Sequence, residues 1–209
     1  MSEEVKTDNL IMRVFLETID NIVGSNGLKS ILNYAHLEKY IGNFPPDNDE
    51  QEIPVTDLEQ LYTALYEMFG NKGAFSLQLR VGRENVHRGL EKRPKIAKTM
   101  RIACKIVPEN TKIRLGLENL KEYMEKGSSN HSEVPLVEIL EQDDCFLLVQ
   151  RENIMGSKIT SDKPVCGITL GIIEALVEWI TGHSHEVKEI ECTAMGHPAD
   201  IFRVSKASS

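Results

Sequence analysis

The sequence has few aromatic residues and no long hydrophobic run. Its 209 residues include one tryptophan, and phenylalanine, tryptophan and tyrosine together make up 6% of the chain. No apolar stretch approaches the roughly 20 residues of a transmembrane helix, so we expect no membrane span. The first residues, MSEE, are acidic and lack the apolar core of a secretory signal. This predicts a cytoplasmic protein.

Cysteines and catalytic motifs are also scarce. The four cysteines are spread along the chain without a CxxC pair. We therefore expect reduced thiols or metal ligands rather than a disulfide framework. The patterns GxSxG, GxxxxGK[ST] and HExxH are absent, and no GxGxxG follows a strand. These absences favour a binding protein over an enzyme.

The net charge of −8 conceals a basic segment between Asn71 and Arg114, which holds twelve Lys or Arg against three Glu. Such a segment can attract phosphates, anionic lipid or a carboxylated ligand, or it can meet acidic surface elsewhere in the fold. No aromatic residue lies between Val81 and Arg114. A base-stacking surface is therefore not expected, and we predict no nucleic-acid partner.

The N-terminal half is patterned as helices. Apolar spacing over Asn9–Val23 predicts a helix with its N-cap at Asp8 or Asn9. The stretch Gly24–Gly27 is expected to stop it, and a second helical pattern follows from Leu28 to Ile41. Thr56 and Glu59 predict a capping box for a later helix. Phe15–Asn43 aligns without gaps on Leu61–Gly89, which places the glycine at 24 on that at 70. This is either a weak repeat or two independent uses of glycine to end a helix.

The C-terminal third alternates short apolar runs with one helix. The pattern predicts the order strand–strand–helix–strand–strand, with Trp179 on the packed face of the helix and Gly182 at its end. The segment Phe75–Val81 is ambiguous, because its alternation favours a strand and its flanks favour a helix. The fold class is therefore α+β, with an N-terminal helical layer packed on a C-terminal antiparallel sheet.

Two groups near the C-terminus could bind metal. Cys166 begins the helix, and Cys192 ends a strand that could return beside it. Two thiolates with a carboxylate or an imidazole suit tetrahedral zinc, but both cysteines could equally be small apolar core residues. His183 and His185 follow the helix, where their charge would favour its dipole, and we expect this role rather than metal binding.

The C-terminal motif resembles the signature of the 4-vinyl reductase domain family. It comprises KPVC at 163–166, the helix that follows, and ECTAMGHP at 191–198 after Glu189, with Phe202 beyond. Members of that family include hydrocarbon-binding proteins, sensor domains of aromatic-responsive transcription activators and a bacteriochlorophyll biosynthesis protein. The resemblance covers about Leu58 to Val204 and is weaker in the helical leader, Leu61–Leu90.

The resemblance implies a fold like that of transport-particle (TRAPP) subunits and haem-nitric-oxide-binding proteins. It also implies a homodimer and an apolar pocket between helices and sheet. We divide the chain into an N-terminal helical extension, residues 1–54, and the family domain, residues 55–209. The candidate pocket residues are Phe75, Leu79, Phe146, Leu148 and Trp179.

In family members with a structural zinc ion, the matching ligands are Cys166, Glu189, Cys192 and the position of Asp200. The family's last cysteine is replaced here by Asp200, which alters the site without removing a donor. Zinc is therefore the one metal that the resemblance implies.

The first functional hypothesis is a non-enzymatic sensor or carrier that binds a small hydrophobic molecule in an enclosed pocket. The alternative is an accessory or reductase component that acts on a tetrapyrrole in (bacterio)chlorophyll-type biosynthesis. A reductase needs a flavin, nicotinamide or iron–sulfur partner, and the sequence shows a binding motif for none of them.

Overall fold

The structure is a computed structural model that describes residues 5–104, 106–126, 135–151 and 159–207. Helices form its N-terminal part and an antiparallel sheet its C-terminal part, as the sequence predicts. No helix in these ranges is long and apolar enough to cross a bilayer. In chain order the elements are β1 (Lys6–Asp8), α1 (Asn9–Tyr34), β2 (Gln51–Pro54), α2 (Val55–Lys92), α3 (Pro94–Cys104), α4 (Glu109–Lys126), β3 (Val137–Glu141), β4 (Cys145–Gln150), α5 (Gly167–Thr181), β5 (Val187–Glu191) and β6 (Asp200–Ser205).

Helices α1 and α2 are built alike, because each follows a short strand and bends at one glycine. Asp8 caps α1 by accepting a hydrogen bond from the backbone N–H of Ile11 at 2.8 Å. Each helix contains one glycine with a positive φ, Gly24 at 76° and Gly70 at 64°, and bends there. These are the two glycines that the internal alignment superimposes. Each helix also follows a short strand, and β1 pairs with β2 in antiparallel fashion.

Two local predictions in this half are wrong. The polar, proline-containing stretch Asn43–Pro54 predicts a loop, but its last four residues form strand β2. Helix α2 begins at Val55 with Pro54 at its N-cap, so Thr56 lies inside the first turn and not at the N-cap position that the predicted capping box requires. The ambiguous segment Phe75–Val81 is helical, because it continues α2 after the bend.

The C-terminal sheet has the strand order β3-β4-β6-β5, and every pairing is antiparallel. Helix α5 connects β4 to β5, which confirms the predicted order of elements. Strands β5 and β6 pair Glu189 with Phe202 and Glu191 with Ile201, so the register shifts between the two pairs. Such a bulge turns the side chains beside it away from strict alternation.

Helix α5 packs chiefly on α2, and also on α4 and β5. At the α2–α5 crossing a Cβ on Gly82 would lie 2.1 Å from the carbonyl oxygen of Ile168, and one on Gly171 would lie 2.2 Å from that of Leu79. The two backbones are therefore in direct contact. Trp179, which the sequence pattern places on the packed face of α5, is half-buried, and the guanidinium of Arg101 lies 5.2 Å from its ring centroid.

One apolar cluster joins both halves of the molecule. It runs from Phe15 in α1 through Leu61 in α2 to Phe202 in β6. The predicted division of the chain falls between β2 and α2, although residues on both sides of it share this core. The division into residues 1–54 and 55–209 stays a prediction.

Candidate metal centre and adjacent groove

Four predicted ligands meet in space. Cys166 is the N-cap of α5, Glu189 lies in β5, Cys192 follows β5, and Asp200 is the first residue of β6. Their potential donor atoms all lie within 4.8 Å of one another. We call these four residues the Cys166 cluster.

The two sulfur atoms of the cluster are 3.8 Å apart. That separation is too long for a disulfide bond, whose S–S length is about 2.05 Å. Two sulfurs bound to one zinc ion at roughly 2.3 Å with tetrahedral angles would lie about 3.8 Å apart. The spacing of Cys166 and Cys192 therefore already matches that of a zinc site.

Hydrogen bonds hold the two carboxylates in place. Glu189 Oε2 accepts the backbone N–H of Cys166 at 3.0 Å. Its other oxygen, Oε1, is buried and makes no hydrogen bond. Asp200 Oδ1 accepts the backbone N–H of Thr193 at 2.6 Å and the hydroxyl of the same residue at 2.9 Å. The cluster thus contains a buried acceptor atom that a cation would satisfy.

The protons of the cluster are unevenly distributed. A hydrogen bond to the Cys192 sulfur, together with burial, raises the pKa of the Cys166 thiol. The same hydrogen bond lowers the pKa of Cys192 to about 6. Burial raises the pKa of Glu189 to about 8. At neutral pH the metal-free cluster therefore holds a thiolate at Cys192 and protons on Cys166 and Glu189, which a divalent cation would displace.

Two residues that were not among the predicted site residues support the cluster. Tyr62 in α2 donates its hydroxyl to the carbonyl of Val165, directly before Cys166. Thr193 supplies both hydrogen bonds to Asp200. Thr193 lies inside the C-terminal motif, so its position beside the ligands was visible in the sequence. The partner of Tyr62 is 103 residues away, and sequence patterns alone could not have identified this contact.

A groove of about 500 Å³ lies beside the cluster and shares Glu189 with it. Its apolar lining comprises Phe75, Pro164, Leu170, Val187 and Ile190, and its polar lining Asn71, Lys72, Ser76, Lys163, Lys188 and Glu189. Phe75 is the one candidate pocket residue that lines it. Phe146 and Leu148 are 1% and 0% exposed in the core, and Leu79 is half-buried against that core.

Part of the basic segment meets acidic surface. Among its described residues, five positive charges have carboxylate partners within the fold. The pairs are Arg83 with Glu174, Arg88 with Glu17, Lys92 with Asp47, Arg93 with Asp49 and Arg114 with Glu141. The acidic partners therefore explain these five positive charges without an external anion.

The comparison with protein families agrees with this geometry. Residues 150–206 match the family model of the 4-vinyl reductase domain. Residues 150–206 are therefore similar to a 4-vinyl reductase domain. The match spans α5, β5 and β6 and contains all four residues of the Cys166 cluster. A comparison with curated proteins found no match.

Several solved structures share the fold of this chain. The Fe(II) unliganded H-NOX protein from K. algicida has a TM-score of 0.60 and 14% identity, over 97% of each chain. The phenol-responsive sensory domain of the transcription activator PoxR, solved with phenol, has a TM-score of 0.52 and 18% identity, over 75% of this chain and 78% of that one. An H-NOX protein from S. oneidensis has a TM-score of 0.55 and 9% identity, over 92% and 97%. At these identities the likeness establishes the fold alone.

Proposed function

We propose that this chain is a non-enzymatic sensor or carrier that binds a small, mainly apolar molecule and holds a structural zinc ion. The observation that carries the proposal is the groove beside the Cys166 cluster, which shares Glu189 with it. The fold of the PoxR sensory domain, solved with phenol, supports the same class of function.

The lining of the groove favours an apolar molecule that carries an acidic group. Phe75, Leu170 and Val187 form an apolar surface, whereas Lys72 and Lys163 supply positive charge. A volume of about 500 Å³ suits a ligand of drug size. The residues that line the groove include no histidine or cysteine, so they offer no nucleophile and base of the usual catalytic pairs. Binding is therefore favoured over catalysis.

Zinc in the Cys166 cluster would be structural. Cys166, Glu189, Cys192 and Asp200 would fill its four coordination positions and leave none for a substrate. The bound ion would join the start of α5 to strands β5 and β6. Its role in this proposal is to hold one wall of the groove, since Glu189 belongs to both.

The alternative function on a tetrapyrrole gains no support from the described residues. Haem occurs in the H-NOX family, and a haem needs an axial ligand that faces an apolar cavity. Within the described ranges, the exposed histidines are His36, His87, His183 and His197. The ring nitrogens of His185 face Glu109 and a backbone carbonyl. We therefore propose no haem.

Calorimetric titration with 1-anilinonaphthalene-8-sulfonate, an apolar probe with one acidic group, tests the groove. We expect binding to the wild type, with a several-fold loss of affinity in Lys72→Gln/Lys163→Gln and a larger loss in Phe75→Ala. The matched control is Lys29→Gln, which changes an exposed lysine outside the groove. Equal affinity in all four proteins would reject the groove as the binding site.

A further inference from the structure

A second group of potential metal ligands lies on the other side of α5. Glu109 is the first residue of α4, and His183 and His185 lie between α5 and β5. Oε1 of Glu109 is 3.1 Å from Nε2 of His183 and 3.3 Å from Nε2 of His185. The three donor atoms lie within 4.8 Å of one another.

The backbone fixes how both imidazole rings are turned. Nδ1 of His185 is 3.1 Å from the carbonyl oxygen of Ser205, and Nδ1 of His183 is 3.4 Å from that of Ser184. A carbonyl only accepts hydrogen bonds, so each Nδ1 carries the proton. In the neutral ring of His185 the lone pair is then on Nε2, which faces Glu109. Histidines that bind metals are commonly held in this way, with the other ring nitrogen donating to a carbonyl.

The buried histidine lacks a hydrogen-bonding partner for its second nitrogen. The side chain of His185 is 4% exposed, and its Nε2 makes no hydrogen bond although Glu109 is close. The two rings stack at a centroid distance of 4.7 Å with an angle of 25° between their planes. Three potential ligand atoms, one from each residue, therefore converge on one point. A cation would satisfy all three.

Protonation offers only a partial substitute for a cation. A hydrogen bond to Glu109 raises the pKa of His183, so this exposed ring can become an imidazolium and pair with the carboxylate. A single ion pair of His183 with Glu109 therefore leaves Nε2 of His185 unsatisfied.

We propose that Glu109, His183 and His185 form a second metal site, which binds a divalent transition-metal ion such as Zn²⁺, Co²⁺ or Cu²⁺. Two imidazole nitrogens and one carboxylate favour these ions over Mg²⁺ and Ca²⁺, which prefer oxygen ligands only. Three protein ligands leave one coordination position open. This position would face solvent, because the His183 side chain is 56% exposed. The site would clamp α4, which precedes the 4-vinyl reductase domain, onto the end of α5.

Titration of the full chain with Cu²⁺, after zinc has been restored at one equivalent, tests this site. We expect one equivalent of Cu²⁺ whose electron paramagnetic resonance spectrum shows nitrogen and oxygen ligands without sulfur. His183→Gln and Glu109→Gln should each weaken the binding of this Cu²⁺ ion by about 10- to 100-fold. Both positions are at the surface of the fold or half-buried, so folding of each variant is checked by circular dichroism.

The matched control is His197→Gln. His197 forms a similar pair with Glu191, at 3.7 Å, but no third ligand joins it in the described structure. Unchanged Cu²⁺ binding in this control, with loss in the other two variants, supports the proposal. Absence of a second equivalent in the wild type, a sulfur-ligand spectrum, or equal loss in the control would each overturn it. A fall in thermal stability of His183→Gln that is the same with and without metal would show an ion pair only.

Discussion

The sulfur atoms of Cys166 and Cys192 lie 3.8 Å apart, although 26 positions separate the residues in the chain. One sulfur stands at the start of a helix and the other just after an edge strand. Helix α5 and the turn that follows it return the chain to this point. The fold therefore brings two thiols that are distant in sequence to the separation that two sulfur ligands of one zinc ion would have.

The first prediction concerns zinc content. Cys192→Ser should reduce bound zinc from near one equivalent to near zero, because a hydroxyl is a much poorer zinc ligand than a thiolate. Metal analysis after purification without chelators measures this. Cys145→Ser is the matched control, since Cys145 is equally buried but bonds to Gln142 away from the cluster. Wild-type protein without zinc, or loss of zinc in the control alone, would contradict the prediction.

The second prediction is a pH dependence of stability in the metal-free protein. Burial raises the pKa of Glu189 from 4.5 to about 8. A raised pKa stabilises the fold fully below the unfolded value, and this contribution is lost as the pH rises from about 4.5 through 8. Glu189→Gln mimics the protonated form and avoids the loss. With chelator present, the variant should gain in melting temperature relative to the wild type between pH 5 and pH 9.

With zinc present at neutral pH, the wild type should have the higher melting temperature. The variant lacks one zinc ligand, whereas the wild type is stabilised by zinc binding. A difference in melting temperature between Glu189→Gln and wild type that does not vary with pH in chelator would show that the carboxyl group is ionised throughout. Such a result would reject the proposed proton distribution.

The third prediction concerns the residue that departs from the family pattern. Asp200→Cys should tighten zinc binding, because a third thiolate is a softer and stronger ligand. It should also destabilise the metal-free protein by about 1–3 kcal/mol, because the backbone N–H of Thr193 loses its acceptor. Competition with a chromophoric chelator gives the affinity, and denaturant unfolding gives the stability. Weaker zinc binding in the variant would mean that Asp200 is already the better ligand in this geometry.

The fourth prediction concerns the α2–α5 crossing. Gly82→Ala should destabilise the protein by about 3 kcal/mol, because the new methyl group would meet backbone atoms of α5 that have no room to move. Gly89→Ala is the control in the same helix, where the nearest atom is 3.9 Å away at the end of a flexible arginine. That change should instead stabilise α2 by about 0.5–1 kcal/mol. Equal effects in urea unfolding would show that the two helices do not touch at Gly82.

The fifth prediction is dimerisation, which the family resemblance implies. Sedimentation equilibrium should give twice the chain mass of 23.6 kDa at micromolar concentration. Exposed apolar side chains such as Ile102, at 57%, are candidates for the contact. A single 23.6 kDa species across a wide concentration range is the outcome that rules it out.

Local patterns predicted the elements with strong periodicity. Helix α5, its end at Gly182 with a φ of 91°, and the two antiparallel strand pairs follow from spacing and turn chemistry that neighbouring residues determine. The segment Phe75–Val81 could not be resolved in this way. Its alternation fits a strand, but the segment is helical because it continues α2 and packs against α5.

The sequence by itself determined the α+β class, the order of the helix and strands in the C-terminal third, and which residues were candidate ligands, because these depend on periodicity and motif spacing. Tertiary structure alone decided that α5 packs on α2 rather than chiefly on the sheet, and that Glu109 meets His183 and His185. The first contact depends on close backbone approach at Gly82 and Gly171, and the second on the packing of α4 against α5. No local pattern encodes them, since they arise only when elements distant in sequence pack together.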